Sequence, residues 1–176
     1  MIAISLPDGS VKQFDTGTTP MRVAISISEG FARNVISASF NDITIESSTP
    51  LTEDGHLILY TWRDKKGKQA FWHSSAHIMA QALEKKFPGV KLTIGPAIEN
   101  GFYYDIDLVE NTISDKDLKS IEDKMLEIAR GKHEFTLRES SKADALEYYK
   151  KQGNQYKVAL IENLEDGTIT FCDHDS

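Results

Sequence analysis

The chain has 176 residues, 40% of them hydrophobic and 27% charged, which is the composition of an ordinary globular protein of one or two domains. No apolar run approaches the roughly 20 residues of a membrane helix, the N-terminus lacks a signal-peptide pattern, and the single cysteine, Cys172, excludes an internal disulfide. The net charge is −7 and both halves of the chain are acidic, so bulk electrostatic attraction to nucleic acid is excluded and any RNA contact must be local.

Residues 1–62 predict a compact α+β unit. Turn residues at 7–10 join two short strands, and Thr19-Pro20 is typical of a helix start, because a hydroxyl cap precedes a proline at the first helical position. The predicted elements are strands at 2–6 and 11–14, a helix over 21–27, and strands at 38–40 and 56–60. This pattern favours an α+β roll, and none of its residues has catalytic spacing.

A charged, glycine-containing segment, Arg63–Gln69, separates two apolar patterns and predicts a linker. Its four cations could touch an RNA phosphate, although a solvated linker is the simpler interpretation. The predicted organisation is therefore a first domain over 1–62, a linker over 63–69 and a second domain over 70–176.

Two histidines four residues apart, His73 and His77, begin the second domain. The apolar pattern after them stops at Phe87-Pro88-Gly89 and predicts a helix from about residue 70 to 87. Side chains at i and i+4 share a helix face, so two neutral imidazoles can reach one divalent ion, or one water or substrate oxygen. The alternative is two partly buried histidines with local hydrogen bonds, because two ligands alone do not make a metal site.

The rest of the chain predicts more helices and strands of an α+β domain. Ser114 and Asp117 resemble a capping box, which opens a helix that ends at Gly131. The other predicted elements are strands at 91–94, 101–107 and 135–138, a helix from Ser141 to Gly153, and strands at 156–161 and 168–171.

The segment Leu92–Asp105, placed shortly after the two histidines, resembles the N-terminal region of threonyl-tRNA synthetases. The resemblance covers the whole chain, because Leu6–Ser10 is similar to the opening of their TGS domain, a ubiquitin-like β-grasp module. Residues from about 63 onward are similar to the start of their editing domain, and Gln155–Val158 matches a strand of that family. The resemblance implies an α+β chain, with a β-grasp domain followed by a second, incomplete α+β editing domain.

The resemblance also implies a hydrolytic pocket. Threonine and serine differ by one methyl group, which is worth only ~1–3 kcal/mol of discrimination, so a second site must hydrolyse wrongly formed esters. His73 and His77 match members of that pocket, and Tyr104 and Lys157 match further members on flanking strands. A lysine cation suits a developing oxyanion, and a histidine suits positioning or proton transfer. From the residues alone, Tyr104 would pack at a sheet edge and Lys157 would face solvent.

The sequence departs from the family near its C-terminal end. In relatives, the two histidines that correspond to His73 and His77 are joined by a later C-x-x-x-H motif. Together these residues form a set of four ligands of the type that zinc takes. Here the only nearby pair, Cys172 and His174, has a different spacing, so the two histidines are at most a half-site whose other ligands lie beyond Ser176. Zinc is expected only in the full-length protein, and no cofactor is expected in this fragment. ATP and magnesium belong to the absent catalytic domain.

The resemblance thus implies a cytoplasmic N-terminal region of a threonine–tRNA ligase that contributes to editing of seryl-tRNA(Thr). The expected partners are the acceptor end of tRNA(Thr) and the rest of the synthetase, with no membrane; the parent is expected to be a homodimer and the fragment a monomer. The fragment is expected not to aminoacylate and to deacylate weakly or not at all.

Two alternatives remain open. One is a free-standing aminoacyl-tRNA trans-editing hydrolase, which the TGS-like module and the missing C-x-x-x-H disfavour. The other is a non-enzymatic TGS-containing RNA-binding or regulatory module, which the acidic charge and the editing-domain resemblance disfavour.

Overall fold

The structure, a computed structural model, describes residues 1–109, 112–131, 135–165 and 167–174. It divides into two compact units, residues 1–72 and residues 73–176. Within the described ranges, no helix is both long and apolar enough to cross a membrane.

The first unit is a five-stranded sheet with one main helix packed on it. Its elements are β1 Ile2–Ser5, β2 Val11–Phe14, α1 Pro20–Ile27, α2 Glu29–Ala32, β3 Val35–Phe40, β4 Ile43–Ile45 and β5 Gly55–Thr61. The strand order is β2-β1-β5-β3-β4, in which β1 and β5 pair in parallel and the other neighbours pair antiparallel. This topology confirms the ubiquitin-like β-grasp that the resemblance implies.

Alternating residues of the strands form the core of the first unit. Ile2 and Ile4 are buried on one face of β1, and they meet Val23 of α1 and Leu57 of β5. As predicted, the Thr19 hydroxyl caps α1, accepting a hydrogen bond from the Arg22 amide at 3.3 Å. The sheet is therefore stabilised by the burial of one strand face under the helix.

Two elements of the first unit did not follow from the sequence pattern. Strand β4 has only three residues, and it pairs with β3 through a turn in which Asn41 and Asp42 have φ of 48° and 67°. Asparagine and aspartate tolerate this left-handed conformation, which hairpin turns require. Helix α2 begins where the end of α1 was predicted, because the Ser28 side chain caps it and accepts from the Phe31 amide.

The segment predicted as a linker is largely folded. Helix α3, Lys65–Lys86, begins inside it rather than near residue 70. The Asp64 carboxylate accepts hydrogen bonds from the Thr61 amide and hydroxyl at 2.7 and 2.9 Å. Gly67 packs so tightly on the Thr61 carbonyl that an added Cβ would overlap it. The boundary between the two units, after residue 72, lies within α3.

The second unit combines helices with short antiparallel pairs. After α3, its elements are β6 Lys91–Leu92, β7 Ala97–Ile98, β8 Gly101–Phe102, β9 Ile106–Asp107, α4 Asp115–Gly131, β10 Phe135–Ser141, α5 Lys142–Lys151, α6 Gln155–Glu162 and β11 Thr168–His174. The described pairs are β6 with β9, β7 with β8, and β10 with β11. Helices α3 and α4 share an apolar core with β6, which includes the buried Leu83, Leu92, Ile121 and Ile128.

The strand predicted at 156–161 is wrong, because these residues form helix α6. Their β-branched and aromatic side chains favoured a strand by type. The Asn154 side chain decides otherwise: it caps the helix by accepting a hydrogen bond from the Lys157 amide at 3.1 Å. The predicted strand at 101–107 is also divided, into β8 and β9, with Tyr103, Tyr104 and Asp105 between them.

One half of the predicted capping box at Ser114 is present, because the Asp117 side chain reaches back to Ser114. The same side chain also joins two helices. The Asp117 carboxylate accepts hydrogen bonds from the Ser114 hydroxyl and amide at 2.6 and 3.0 Å, and it pairs with Lys86 of α3 at 3.1 Å. The Ser114 hydrogen bonds, followed by Lys86, lower the pKa of Asp117 to about 2. The ionised Asp117 carboxylate therefore stabilises the folded state at pH values above the ordinary aspartate pKa. This stabilisation is lost as the pH falls through about 2.

We expect Asp117→Asn to destabilise the protein at pH 7, because the variant loses the charged cap and the pair with α3. The difference in free energy of unfolding between the wild type and the variant should shrink as the pH falls from 4 toward 2. Urea denaturation at pH 7, 4 and 3 measures it, with Asp115→Asn as the control, since Asp115 lies in the same first turn. A difference that did not depend on pH would contradict the assignment.

Candidate functional site

Helix α3 places the two histidines on one face, as their spacing predicts. The imidazole rings of His73 and His77 are 4.6 Å apart between centroids, and their Nε2 atoms are 3.1 Å apart. A hydrogen bond at this distance requires one protonated and one unprotonated nitrogen. The pair is therefore a proton donor and a proton acceptor side by side, which is the combination that acid–base chemistry uses.

All four side chains that the resemblance singled out line one cavity of about 220 Å³. His73, His77, Tyr104 and Lys157 form one part of its wall. Its other lining residues are Ala76, Ile94, Gly95 and Pro96. A neighbouring larger cavity of about 840 Å³ shares the same four side chains and extends to residues of α5, α6, β10 and β11. The structure thus brings together residues that are up to 84 positions apart in the chain, Lys157 being the last.

Lys157 reaches the cavity from the first turn of α6, not from the strand that the resemblance implied. The buried Asn154 holds this turn: its side chain accepts from the Lys157 amide and donates to the Leu92 carbonyl at 3.0 Å. Two further bonds tie the end of α5 and the start of α6 to the β6–β9 pair. Lys91 donates to the Gln152 carbonyl at 2.8 Å, and the Tyr156 hydroxyl donates to Asp107 at 2.7 Å.

Tyr104 lies between β8 and β9 and is half-buried against the core of the second unit. Burial raises the pKa of Tyr104, and the carboxylate of Glu84 raises it further. The ring packs closely against the backbone of Gly95, because an added Cβ there would overlap the ring. Tyr104 therefore acts as a packed wall of the cavity and not as a solvent-facing residue at a sheet edge.

Glu84 also lines the larger cavity. The sequence analysis did not single out this residue. Burial lowers the pKa of Lys157, and the nearby Glu84 charge opposes that effect. Partial burial raises the pKa of Glu84 itself, which Lys157 opposes in turn. The available signal was the helical period, because Glu84 follows His77 by seven residues and so lies two turns further along the same face.

The two histidines alone do not fit a complete metal site. Residues 1–109, 112–131, 135–165 and 167–174 contain no group of three or more His, Cys, Asp or Glu side chains placed to hold an ion. Structural and catalytic zinc sites take at least three protein ligands. No chemical step is therefore assigned to a metal here.

Comparison with known proteins finds a domain family for the first unit and relatives that match nearly the whole chain. Residues 2–61 match the TGS domain family. Over 174 residues, or 99% of its length, the chain is 67% identical to the threonine–tRNA ligase of Flavobacterium johnsoniae and 66% identical to that of Flavobacterium psychrophilum. The threonine–tRNA ligase of Cytophaga hutchinsonii is 48% identical over 97% of the chain. The chain spans 26% of the length of each of these relatives, and the resemblance to threonyl-tRNA synthetases is confirmed.

We expect Glu84→Gln to lower the pKa of Lys157 further, because the variant removes the negative charge that supports the ammonium ion. The pKa of Tyr104 should fall toward its ordinary value for the same reason. A pH titration of ¹³C-labelled lysine and tyrosine by NMR measures both effects. Glu99→Gln is the matched control, because Glu99 is an exposed carboxylate of the same unit. Equal pKa values in the wild type and Glu84→Gln would show that the two charges do not interact.

Proposed function

We propose that this chain, which belongs to the threonyl-tRNA synthetase family and corresponds in sequence to part of a threonine–tRNA ligase, contributes to hydrolysis of serine wrongly esterified to tRNA(Thr). The observation that carries the proposal is the convergence of His73, His77, Tyr104 and Lys157 on one cavity of about 220 Å³. A space of this size suits a small aminoacyl group. Its histidine pair and its lysine supply the two kinds of group that ester hydrolysis needs.

The proposed reaction is attack of water on the acyl carbon of the ester. One imidazole of the histidine pair takes a proton from the water as the new carbon–oxygen bond forms. The former carbonyl oxygen becomes an oxyanion, and the tetrahedral intermediate collapses by breaking the bond to the ribose oxygen. The ribose oxygen takes the proton back from the imidazole, so that the products are free serine and tRNA with an intact terminal hydroxyl.

Lys157 suits the stabilisation of the oxyanion. Its side chain is half-buried, and a charge in such a place acts more strongly than the same charge in water. Burial lowers the pKa of Lys157, whereas Glu84 helps to keep the ammonium ion protonated. Glu84 therefore supports the charge on which this step depends.

The activity of the whole protein is also a proposal, since the chain spans 26% of its relatives' length. We infer that the parent is a cytoplasmic, homodimeric ligase that uses ATP and magnesium in a catalytic domain outside this chain. Zinc at the histidine pair would require ligands from outside the described residues. The chain alone should therefore bind zinc weakly.

A local cluster of cations and aromatic rings in the first unit supports contact with tRNA. Arg63, Lys65, Lys66 and Lys68 have no carboxylate within 4 Å among the residues that the structure describes. Beside them, the rings of Trp62, Phe71 and Trp72 contact one another edge to face at 5.1–5.3 Å. Lys68 lies 5.8 Å from the centre of the Trp62 ring. Cations mixed with aromatic faces are typical of surfaces that bind RNA.

Hydrolysis by the full-length synthetase tests the editing proposal. We expect Lys157→Ala to slow release of serine from seryl-tRNA(Thr) on the order of a hundredfold, as removal of an oxyanion donor does elsewhere. His73→Ala should also slow it, whereas attachment of threonine to tRNA should not change. Lys150→Ala is the control, because Lys150 is an exposed cation on α5. Unchanged hydrolysis in both site variants would refute the proposal.

The chain by itself gives a second test of the same proposal. Because the site is expected to need residues from the rest of the synthetase, the 176-residue chain should hydrolyse seryl-tRNA(Thr) weakly or not at all. Rapid hydrolysis by the chain alone would show that its own residues complete the site.

Salt dependence of tRNA binding tests the cationic cluster. Replacing Arg63, Lys65 and Lys66 by glutamine should weaken binding. It should also make the negative slope of log K against log salt shallower by about 2–3, at about 0.7–0.9 per lost phosphate contact. The control is a triple glutamine variant of Lys12, Arg22 and Arg33, which removes the same charge elsewhere in the unit. Equal losses in both triple variants would indicate a general charge effect and contradict a local contact.

A further inference from the structure

We propose that Gly95 is a positioning residue that sets the place of the Tyr104 ring in the candidate site. This inference rests on the proposed function for its catalytic meaning, but its structural part stands on geometry alone. It depends on a contact between a residue without a side chain and an aromatic ring, a contact that no sequence motif names.

The contact between Gly95 and Tyr104 leaves no space for a side chain. A Cβ built on Gly95 would lie 2.9 Å from Cγ of Tyr104, and closer still to Cδ2 and Cε2. These atoms belong to the near edge of the ring, so a small movement of a flexible tip would not relieve the overlap. The ring would have to move as a whole.

The backbone around this contact is held by hydrogen bonds. The Thr93 amide donates to the Asp105 carbonyl at 3.0 Å, and the Asp105 amide donates to the Ile94 carbonyl at 2.8 Å. These bonds extend the pairing of β6 with β9 to the residues next to Gly95 and Tyr104. Because the two backbone segments are fixed relative to each other, a side chain at position 95 would displace the ring rather than the backbone.

The direction of that displacement matters for the cavity of about 220 Å³. Gly95 and Tyr104 both line it, together with His73, His77 and Lys157. Tyr104 also packs against the apolar core of the second unit, and the core is too dense to take up an aromatic ring. The ring would therefore move into the cavity and reduce the space for an acyl group. Gly95 thus keeps the cavity open and Tyr104 in its place.

The test is Gly95→Ala with Gly167→Ala as the matched control. Neither glycine has a left-handed φ, but an added Cβ at Gly167 has no atom within 4 Å. In the 176-residue chain labelled with ¹³C on the tyrosine rings, the Tyr104 resonance, assigned with Tyr104→Phe, should shift in Gly95→Ala and not in Gly167→Ala. An unchanged Tyr104 resonance would overturn the inference.

A double-mutant cycle with Tyr104→Ala tests whether overlap with the Tyr104 ring causes the loss of stability in Gly95→Ala. If the overlap with the ring is the whole effect of Gly95→Ala, the loss of stability to urea should disappear when Tyr104 is already alanine. Additive losses would place the effect elsewhere and overturn the proposal. This readout does not depend on hydrolysis, so it decides the structural part even if the proposed function fails.

Hydrolysis of seryl-tRNA(Thr) by the full-length synthetase tests the positioning role. Gly95→Ala should lower kcat/KM by roughly ten- to a hundredfold, because small misplacements at a reacting centre have effects of that size. The loss should be smaller in the Tyr104→Ala background. If Tyr104→Phe and Lys157→Ala slow hydrolysis but Gly95→Ala does not, the positioning role is refuted while the proposed function stands.

Discussion

The candidate site depends on the buried amide of Asn154, which joins two parts of the second unit with one side chain. Its oxygen caps α6 and its nitrogen binds the carbonyl of Leu92. Removing a buried amide of this kind would leave both a helix end and a strand carbonyl without partners. The amide thereby holds the first turn of α6, with Lys157, against the β6–β9 pair, and Tyr104 lies in the segment that leads into β9. The position of the lysine is thus a consequence of one hydrogen-bonded residue that does not line the smaller cavity.

The same elements of the second unit form both its apolar core and the candidate site. Helix α3 presents the histidines on one face and the buried Ala82 and Leu83 toward the core. Tyr104 contributes to the core and to the cavity at once. Since dense cores respond to small changes of volume, the shape of the cavity is coupled to the stability of the unit around it.

Local patterns in the sequence predicted a good part of this structure. Three predicted contacts depend on neighbours within one helical turn, and the structure contains them: the pairing of His73 with His77, the Thr19 cap, and the bond of Asp117 back to Ser114. The prediction of a strand at 156–161 was wrong because it relied on side-chain type and overlooked the helix cap at Asn154. The contact of Gly95 with Tyr104 joins residues nine positions apart, and the effect of Glu84 on Lys157 joins residues 73 positions apart. Both separations exceed one helical turn, so no local pattern predicts these contacts. Family resemblance singled out four residues that line one cavity, but it did not predict the contacts that position them.

The parallel pair at the centre of the first sheet has a consequence for how the protein folds during synthesis. Strand β1 meets β5 through Ile4 and Gly55, which are separated by about fifty residues. Until β5 leaves the ribosome, β1 has only β2 as a neighbour, and an isolated two-stranded hairpin is marginally stable in water. Closure of so long a loop is also slow compared with formation of a local helix. The nascent domain therefore keeps an open strand edge through most of its translation and closes it with one of its last segments.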